Sequence, residues 1–227
     1  MSPIKRADRF TREAVRQRLE RIGIIPAIRV SSPEDALFAA EAVSAAGIPI
    51  VEVTMTVPGA LEVIRELARS KPELTVGAGS LPDVAAAEEC LEAGASFLTT
   101  TGLDLEIVKF AHASEVVVFP GVLTPTEVMT AWKAGSDFVK IFPCAPVGGP
   151  AYIRALKAPY HEIKIIASGG VNQSTAADYI LAGCSALGIG ADLIQPRAIQ
   201  NREPDWIGEL ARRFLRMVEE ARSQRHG

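Results

Sequence analysis

IIPAIRVSSPEDALFAAEAVSAAGIPIVEVTMT, residues 24–56, sets two β-branched, apolar runs on either side of one helical pattern. The runs are IIPAIRV (24–30) and PIVEVTMT (49–56). Between them Ser32 stands as an N-cap, Pro33 fits the first helical position, and Gly47 falls just past the end. A strand, a helix and a second strand in so short a span make the unit that joins parallel neighbours in one sheet.

The same alternation continues along the chain. Further strands are expected at LTVGAGS (74–80), SFLTT (96–100), VVVFPG (116–121), FVKIF (138–142), IKIIAS (163–168) and SALGIG (185–190). AAG (45–47), EAG (92–94), KAG (133–135) and LAG (181–183) each close a helix before a strand, so two strand–helix units fill each interval. Eight such units in 227 residues predict a compact (β/α)8 TIM barrel. An open doubly wound sheet is the other architecture this alternation permits. Residues 1–22 are expected to supply an extra N-terminal helix, over 9–22, closing the barrel bottom, and 204–222 the last amphipathic helix, with Arg212, Arg213 and Arg216 on a solvated face. No linker divides the chain, so residues 1–227 read as one barrel domain.

Composition narrows the partners. With 48% hydrophobic residues and 24 basic against 27 acidic side chains, the chain buries a large core and carries no bulk charge to hold nucleic acid or a membrane surface. Three cysteines without CxxC spacing argue against a disulfide framework or structural zinc. The first 23 residues lack the apolar core of a signal peptide, and no stretch approaches 18 apolar residues in a row, so a cytoplasmic protein with a small-molecule partner is expected.

A barrel carries its active site at the carboxyl ends of its strands. That rule selects Arg29, the segment Glu52 to Thr56, Ser80, Thr100, Thr101, Lys140, Phe142, Ser168, Gly169, Gly170, Gly190 and Ala191. Lys140 is the anomaly among them, an ammonium in an apolar strand. Strand alternation puts Phe138, Lys140 and Phe142 on one side, so an inward Lys140 sits between two aromatic rings. Desolvation there works against the ammonium, and a neutral amine attacks carbonyls to form a Schiff base, an electron sink for C–C bond cleavage. The plainer alternatives are a lysine that snorkels outward or one that pairs with a carboxylate. Glu52, between Val51 and Val53, is a second charge on an apolar strand. The two make either a buried ion pair, a weak device for stability, or an active site.

Glycine turns after the seventh and eighth strands, Ser168-Gly169-Gly170 and Gly188-Ile189-Gly190, suit backbone binding of a phosphate, with a helix starting near Ser174. Neither GAG (77–79) nor GIG (188–190) completes a dinucleotide fingerprint, so no nicotinamide or flavin is expected. His112, His161 and His226 are scattered and no GxSxG occurs, which leaves a metal site or a serine hydrolase without support. Cys144, beyond Pro143, reads as a loop filler, and Phe110 and Phe119 as either contact surface or core.

The motifs IPAIRV (25–30), VEVTMT (51–56), VGAGS (76–80), FPGVLTPTE (119–127), VKIFP (139–143), GGPAYIRALKAP (148–159) and SGGV (168–171) resemble the 2-keto-3-deoxy-6-phosphogluconate (KDPG) aldolase family, which includes 4-hydroxy-2-oxoglutarate (KHG) aldolases. The resemblance runs from about residue 20 to residue 220. It implies a class I aldolase on a (β/α)8 barrel, usually a homotrimer, with no metal and no cofactor. It also implies Lys140 as the Schiff-base lysine, Glu52 as general acid and base through a water, and Phe142 against the keto acid. Arg29, Ser80 and Ser168 match the carboxylate and hydroxyl partners, while Gly169, Gly170, Gly190 and Ala191 match the distal phosphate loops. Thr56 replaces an arginine of several members, Thr101 a proline, and Ala191 a phosphate-binding serine, so the resemblance leaves the aldehyde open between glyceraldehyde 3-phosphate and glyoxylate. Two further readings remain: a phosphate-binding isomerase or epimerase using Glu52 as base without a Schiff base, and a barrel that binds sugar acids without catalysis.

Overall fold

The unit of residues 24–56 forms as β1 (Ile24–Ile28), the helix Pro33–Ala45 and β2 (Ile50–Thr54). Ser32 Oγ accepts from Asp35 N at 3.1 Å, and Gly47 turns the chain out of the helix at φ +100°. Gly94, Gly135 and Gly183 do the same at φ +108°, +92° and +112°, a conformation that costs glycine nothing. The remaining strands are β3 (Thr75–Gly79), β4 (Phe97–Thr99), β5 (Val117–Phe119), β6 (Gly121–Val122), β7 (Val139–Ile141), β8 (Ile165–Ser168) and β9 (Ala186–Ile189). The structure, a computed structural model, describes residues 10–225.

All pairings are parallel, in the order β5-β4-β3-β2-β1-β9-β8-β7-β6. The two ends of that order are consecutive in the chain, separated by Pro120 alone, so the expected fifth strand is present but broken. Proline has no N–H to give to a ladder. Threonine hydroxyls from the neighbouring strand take over at the break: Thr99 Oγ1 donates to Phe119 O at 2.8 Å, and Gly121 N donates to Thr100 Oγ1 at 3.2 Å. On the other side, Asp137 N, Lys140 N and Phe142 N donate to Val118 O, Pro120 O and Val122 O at 3.0, 2.9 and 3.2 Å. The broken strand thereby makes the last seam of a barrel, and the open doubly wound sheet is set aside.

Every residue of β2 and β3 is buried, as expected of parallel strands covered on both faces. Outward residues such as Val51 and Val53 meet the helix layer, where Ala60–Ser70 buries Val63, Ile64 and Leu67. The inward faces carry the floor of the barrel. Phe97 and Phe119 stack with ring centroids 5.4 Å apart, and Phe138 meets Phe119 edge-on at 6.1 Å. Phe119 is therefore core and no part of a contact surface, while Phe110 is half-buried against the core. Each ring so buried contributes about 1.5–3 kcal/mol.

Helix Arg12–Ile22 buries Val15 and Leu19 and reaches the amino ends of β7 and β8. Arg12 pairs with Asp137 at 2.9 Å, and Glu20 pairs with Lys164. It thus lies below the barrel, opposite the carboxyl ends; residues 1–9 of the expected N-terminal segment lie outside the described residues. Helix Pro204–Arg225 is the last element, with exposed Arg212 and Arg216 and half-buried Arg213 gathered around Glu209. The helix expected near Ser174 starts at Ala176 and has only six residues. An Asx-type turn precedes it, in which Asn172 Oδ1 accepts from Ser174 N at 3.0 Å. Among the described residues no helix is long and apolar enough to cross a membrane.

Candidate active site

Lys140 is the middle residue of β7, and in register its neighbours are Gly121 on β6 and Ile166 on β8. Its side chain enters the barrel above the aromatic floor and is 5% exposed. There Nζ stands 3.7 Å from Glu52 Oε1, and Glu52 is itself 3% exposed. Nζ also donates to Thr99 Oγ1 at 3.4 Å, and the Phe142 ring centroid lies 5.6 Å away. Snorkelling is excluded, because the ammonium ends inside the barrel and not at its rim. A buried ion pair adds little net stability, since desolvation offsets much of the attraction.

Space for the Glu52 carboxylate comes from β3. Glu52 lies beside Gly77 in register, and a Cβ built on Gly79 would fall 2.0 Å from Glu52 Oε1. Gly79 has no positive φ, so alanine fits its backbone but not the carboxylate. Gly79→Ala is expected to fold at a cost of about 1–3 kcal/mol and to lower turnover roughly 100-fold by displacing Glu52. Denaturant melts and steady-state kinetics check the two effects; unchanged turnover would refute the role of this gap.

The other predicted residues ring the mouth above this pair. Arg29, just past β1, is exposed and donates through Nη2 to Ser80 Oγ at 3.3 Å. Ser80 holds φ +59°, rare for a residue with a side chain. Thr54 Oγ1 donates to Ile28 O at 2.9 Å, so the 2.7 Å contact between Thr54 and Thr56 takes the Thr56 proton inward. Thr56 consequently presents lone pairs to the mouth, and Arg29 is the residue there suited to a carboxylate. Ser168 ends β8 opposite Gly188, where a Cβ would come within 2.8 Å of Ser168 Oγ.

Gly169 and Gly170 follow at φ +83° and +89°. A Cβ on Gly169 would lie 2.9 Å from Pro143 Cα, and one on Gly170 would lie 2.3 Å from Ala145 Cβ, so both glycines are dictated by close approach of the loop after β7. Gly190 O accepts from Leu193 N and Ile194 N at 3.0 and 2.9 Å, forming a tight turn that leaves Ala191 exposed. Thr101 is exposed, and its carbonyl lies 2.2 Å from where a Cβ on Gly121 would be. The structure thus brings Lys140, Glu52 and Phe142 together directly and pairs Arg29 with Ser80, while Thr56, Thr101, Ser168 and the glycine turns stand around the same opening.

Two contributors escaped the sequence filter. Thr99 lies outside the set that the end-of-strand rule selects, although alternation from Phe97 puts it on the inward face. Gly79 lies within the expected strand LTVGAGS with no role attached to it, and only the cross-strand contact with Glu52 shows its use. Among the described residues no group of three His, Cys, Asp or Glu side chains could hold a metal. His112 lies 2.7 Å from Arg12 at the barrel bottom, His161 is exposed, and His226 lies outside the described residues. Cys144 is fully buried, and its burial raises the thiol pKa, consistent with filler.

A family model described as "KDPG and KHG aldolase" matches residues 15–210. The 2-dehydro-3-deoxy-phosphogluconate aldolase of Pseudomonas aeruginosa is 35% identical over 201 residues, spanning 88% of this chain and 90% of that protein. The KHG/KDPG aldolase of Escherichia coli is 33% identical over 190 residues, 83% of this chain and 89% of that protein. Among solved structures, KDPG aldolase from Legionella pneumophila, with pyruvate captured at low pH as a covalent carbinolamine intermediate, superposes with a TM-score of 0.81 at 29% identity, covering 87% of this chain and 96% of that one. With the fold, the buried lysine and glutamate, and these likenesses together, the chain belongs to the KDPG and KHG aldolase family.

Proposed function

We propose that this protein is a class I aldolase that reversibly cleaves a 2-keto-3-deoxy-6-phospho sugar acid or 4-hydroxy-2-oxoglutarate into pyruvate and an aldehyde. The observation that carries the reading is the Lys140 Nζ to Glu52 Oε1 approach of 3.7 Å, with both groups inside an apolar barrel. Glu52 is placed to take a proton from the lysine, and the neutral amine then attacks C2 of the keto acid to give a carbinolamine. Glu52 returns that proton to the carbinolamine hydroxyl, which leaves as water, so that an iminium forms and Glu52 is again a carboxylate. Glu52, through a water, removes the proton of the C4 hydroxyl; the C3–C4 bond breaks, its electrons pass to the iminium nitrogen, and the aldehyde leaves. Protonation of the enamine at C3 and hydrolysis of the iminium release pyruvate and restore Lys140.

In this reading Arg29, with Ser80 and Ser168, holds the keto-acid carboxylate and hydroxyls, and Phe142 packs against the bound carbon chain. Thr56 and Thr101 line the mouth, and Gly169, Gly170, Gly190 and Ala191 face the distal end of the substrate. Ala191 offers a backbone N–H and no side-chain donor there. No step calls on a metal or cofactor. The whole chain works as one barrel domain, in the cytoplasm, as a homotrimer; the support for these last points is the family resemblance and the unbroken run of strand–helix units.

Borohydride added with pyruvate tests the mechanism. Mass spectrometry is expected to find pyruvate, less water and plus two hydrogens, attached to Lys140. An active protein without that adduct would rule out the Schiff base and favour the isomerase reading. Comparing kcat/KM for the phosphorylated and unphosphorylated substrates then decides the distal group.

A further inference from the structure

We infer that Thr99 is a positioning residue for the reaction, aiming the amine of Lys140; this deepens the aldolase reading above and rests on it. A threonine hydroxyl has one proton to donate and lone pairs to accept with. The proton of Thr99 goes to Phe119 O at 2.8 Å, where the chain is about to break its ladder at Pro120. Only lone pairs of Oγ1 then face Lys140 Nζ, 3.4 Å away. The bond to Phe119 ties the hydroxyl to main chain, and Thr99 is fully buried, so the acceptor is fixed and dry.

The amine accordingly stands between two acceptors of different kind. Glu52, on β2, exchanges protons; Thr99, on β4, binds one N–H and keeps it. In the neutral amine, an N–H held by Thr99 restricts rotation about the terminal bond of the lysine side chain. The nitrogen lone pair is then limited to directions away from β4, a constraint that counts because nucleophilic attack requires aligned orbitals at near-contact distance. Without the hydroxyl the amine rotates freely and loses that alignment. A residue that acted only through packing would be replaced by valine, which has threonine's shape, without kinetic consequence.

The test compares wild type, Thr99→Val and Thr99→Ser by the rate of borohydride trapping with pyruvate and by steady-state cleavage. Thr99→Val is expected to lower the trapping rate and kcat roughly 10- to 100-fold, with KM within about twofold. Thr99→Ser, which keeps the hydroxyl, is expected to restore most of both. Thr99→Ala serves in place of valine if the valine variant does not fold. Trapping of the variants lacking the hydroxyl at the wild-type rate overturns the inference and leaves the aldolase reading standing. A wild-type protein that forms no adduct on Lys140 removes both.

Discussion

Lys140→Met is expected to abolish cleavage, by at least about ten-thousandfold in kcat, and to leave no borohydride-stable pyruvate adduct on the protein. Methionine matches the unbranched length of lysine and suits an apolar site, so the barrel has no steric reason to rearrange. What disappears is the nucleophile, and with it the covalent electron sink. The variant also has a structural signature. Glu52 is 3% exposed and loses the cation 3.7 Å from its carboxylate. Stranding one partner of a buried pair costs about 3–5 kcal/mol, whereas removing both is close to neutral. Urea melts are therefore expected to place Lys140→Met well below wild type, with the double variant Lys140→Met/Glu52→Gln recovering part of the loss. A Lys140→Met protein retaining even a hundredth of wild-type turnover would defeat the Schiff-base mechanism.

The features legible in the sequence are those set by neighbours along the chain. Ser32, Pro33 and Gly47 bracket one helix through local capping and backbone chemistry, and the repeated terminal glycines follow the same rule. Lys140 and Glu52 stood out because period-two strands expose any charge placed among apolar residues. The break at Pro120 was not legible, because it is tolerated only where Thr99 and Thr100 of the adjacent strand satisfy the backbone around it. Gly79 belongs to the same class. Its lack of a side chain matters to a carboxylate on another strand, and nothing local to VGAGS announces that. Phe119 remained undecided between surface and core for a similar reason, since its stacking partners Phe97 and Phe138 are far away in sequence. Thr99 sits on both sides of this line: alternation marks its face, and only the fold supplies the lysine it meets.

Glu52→Gln is the second large effect expected, and it separates the two halves of the mechanism. Glutamine keeps the shape of the side chain and its place beside Gly79, but an amide does not take up a proton in neutral solution. Cleavage is expected to fall about 100- to 10,000-fold in kcat, the range associated with loss of a positioned acid–base group. Attack on pyruvate requires only that Lys140 lose a proton, which solvent entering the mouth can accept, so a borohydride adduct on Lys140 still forms, more slowly. Protonation of the enamine at C3 is a different matter, because it uses the residue that also serves the C4 hydroxyl. Exchange of the pyruvate methyl protons with deuterium, followed by NMR in the absence of any aldehyde, isolates that step. It is expected to slow in Glu52→Gln by the same order as cleavage. Exchange at the wild-type rate alongside crippled cleavage would move the C3 proton to another group and confine Glu52 to the C4 hydroxyl.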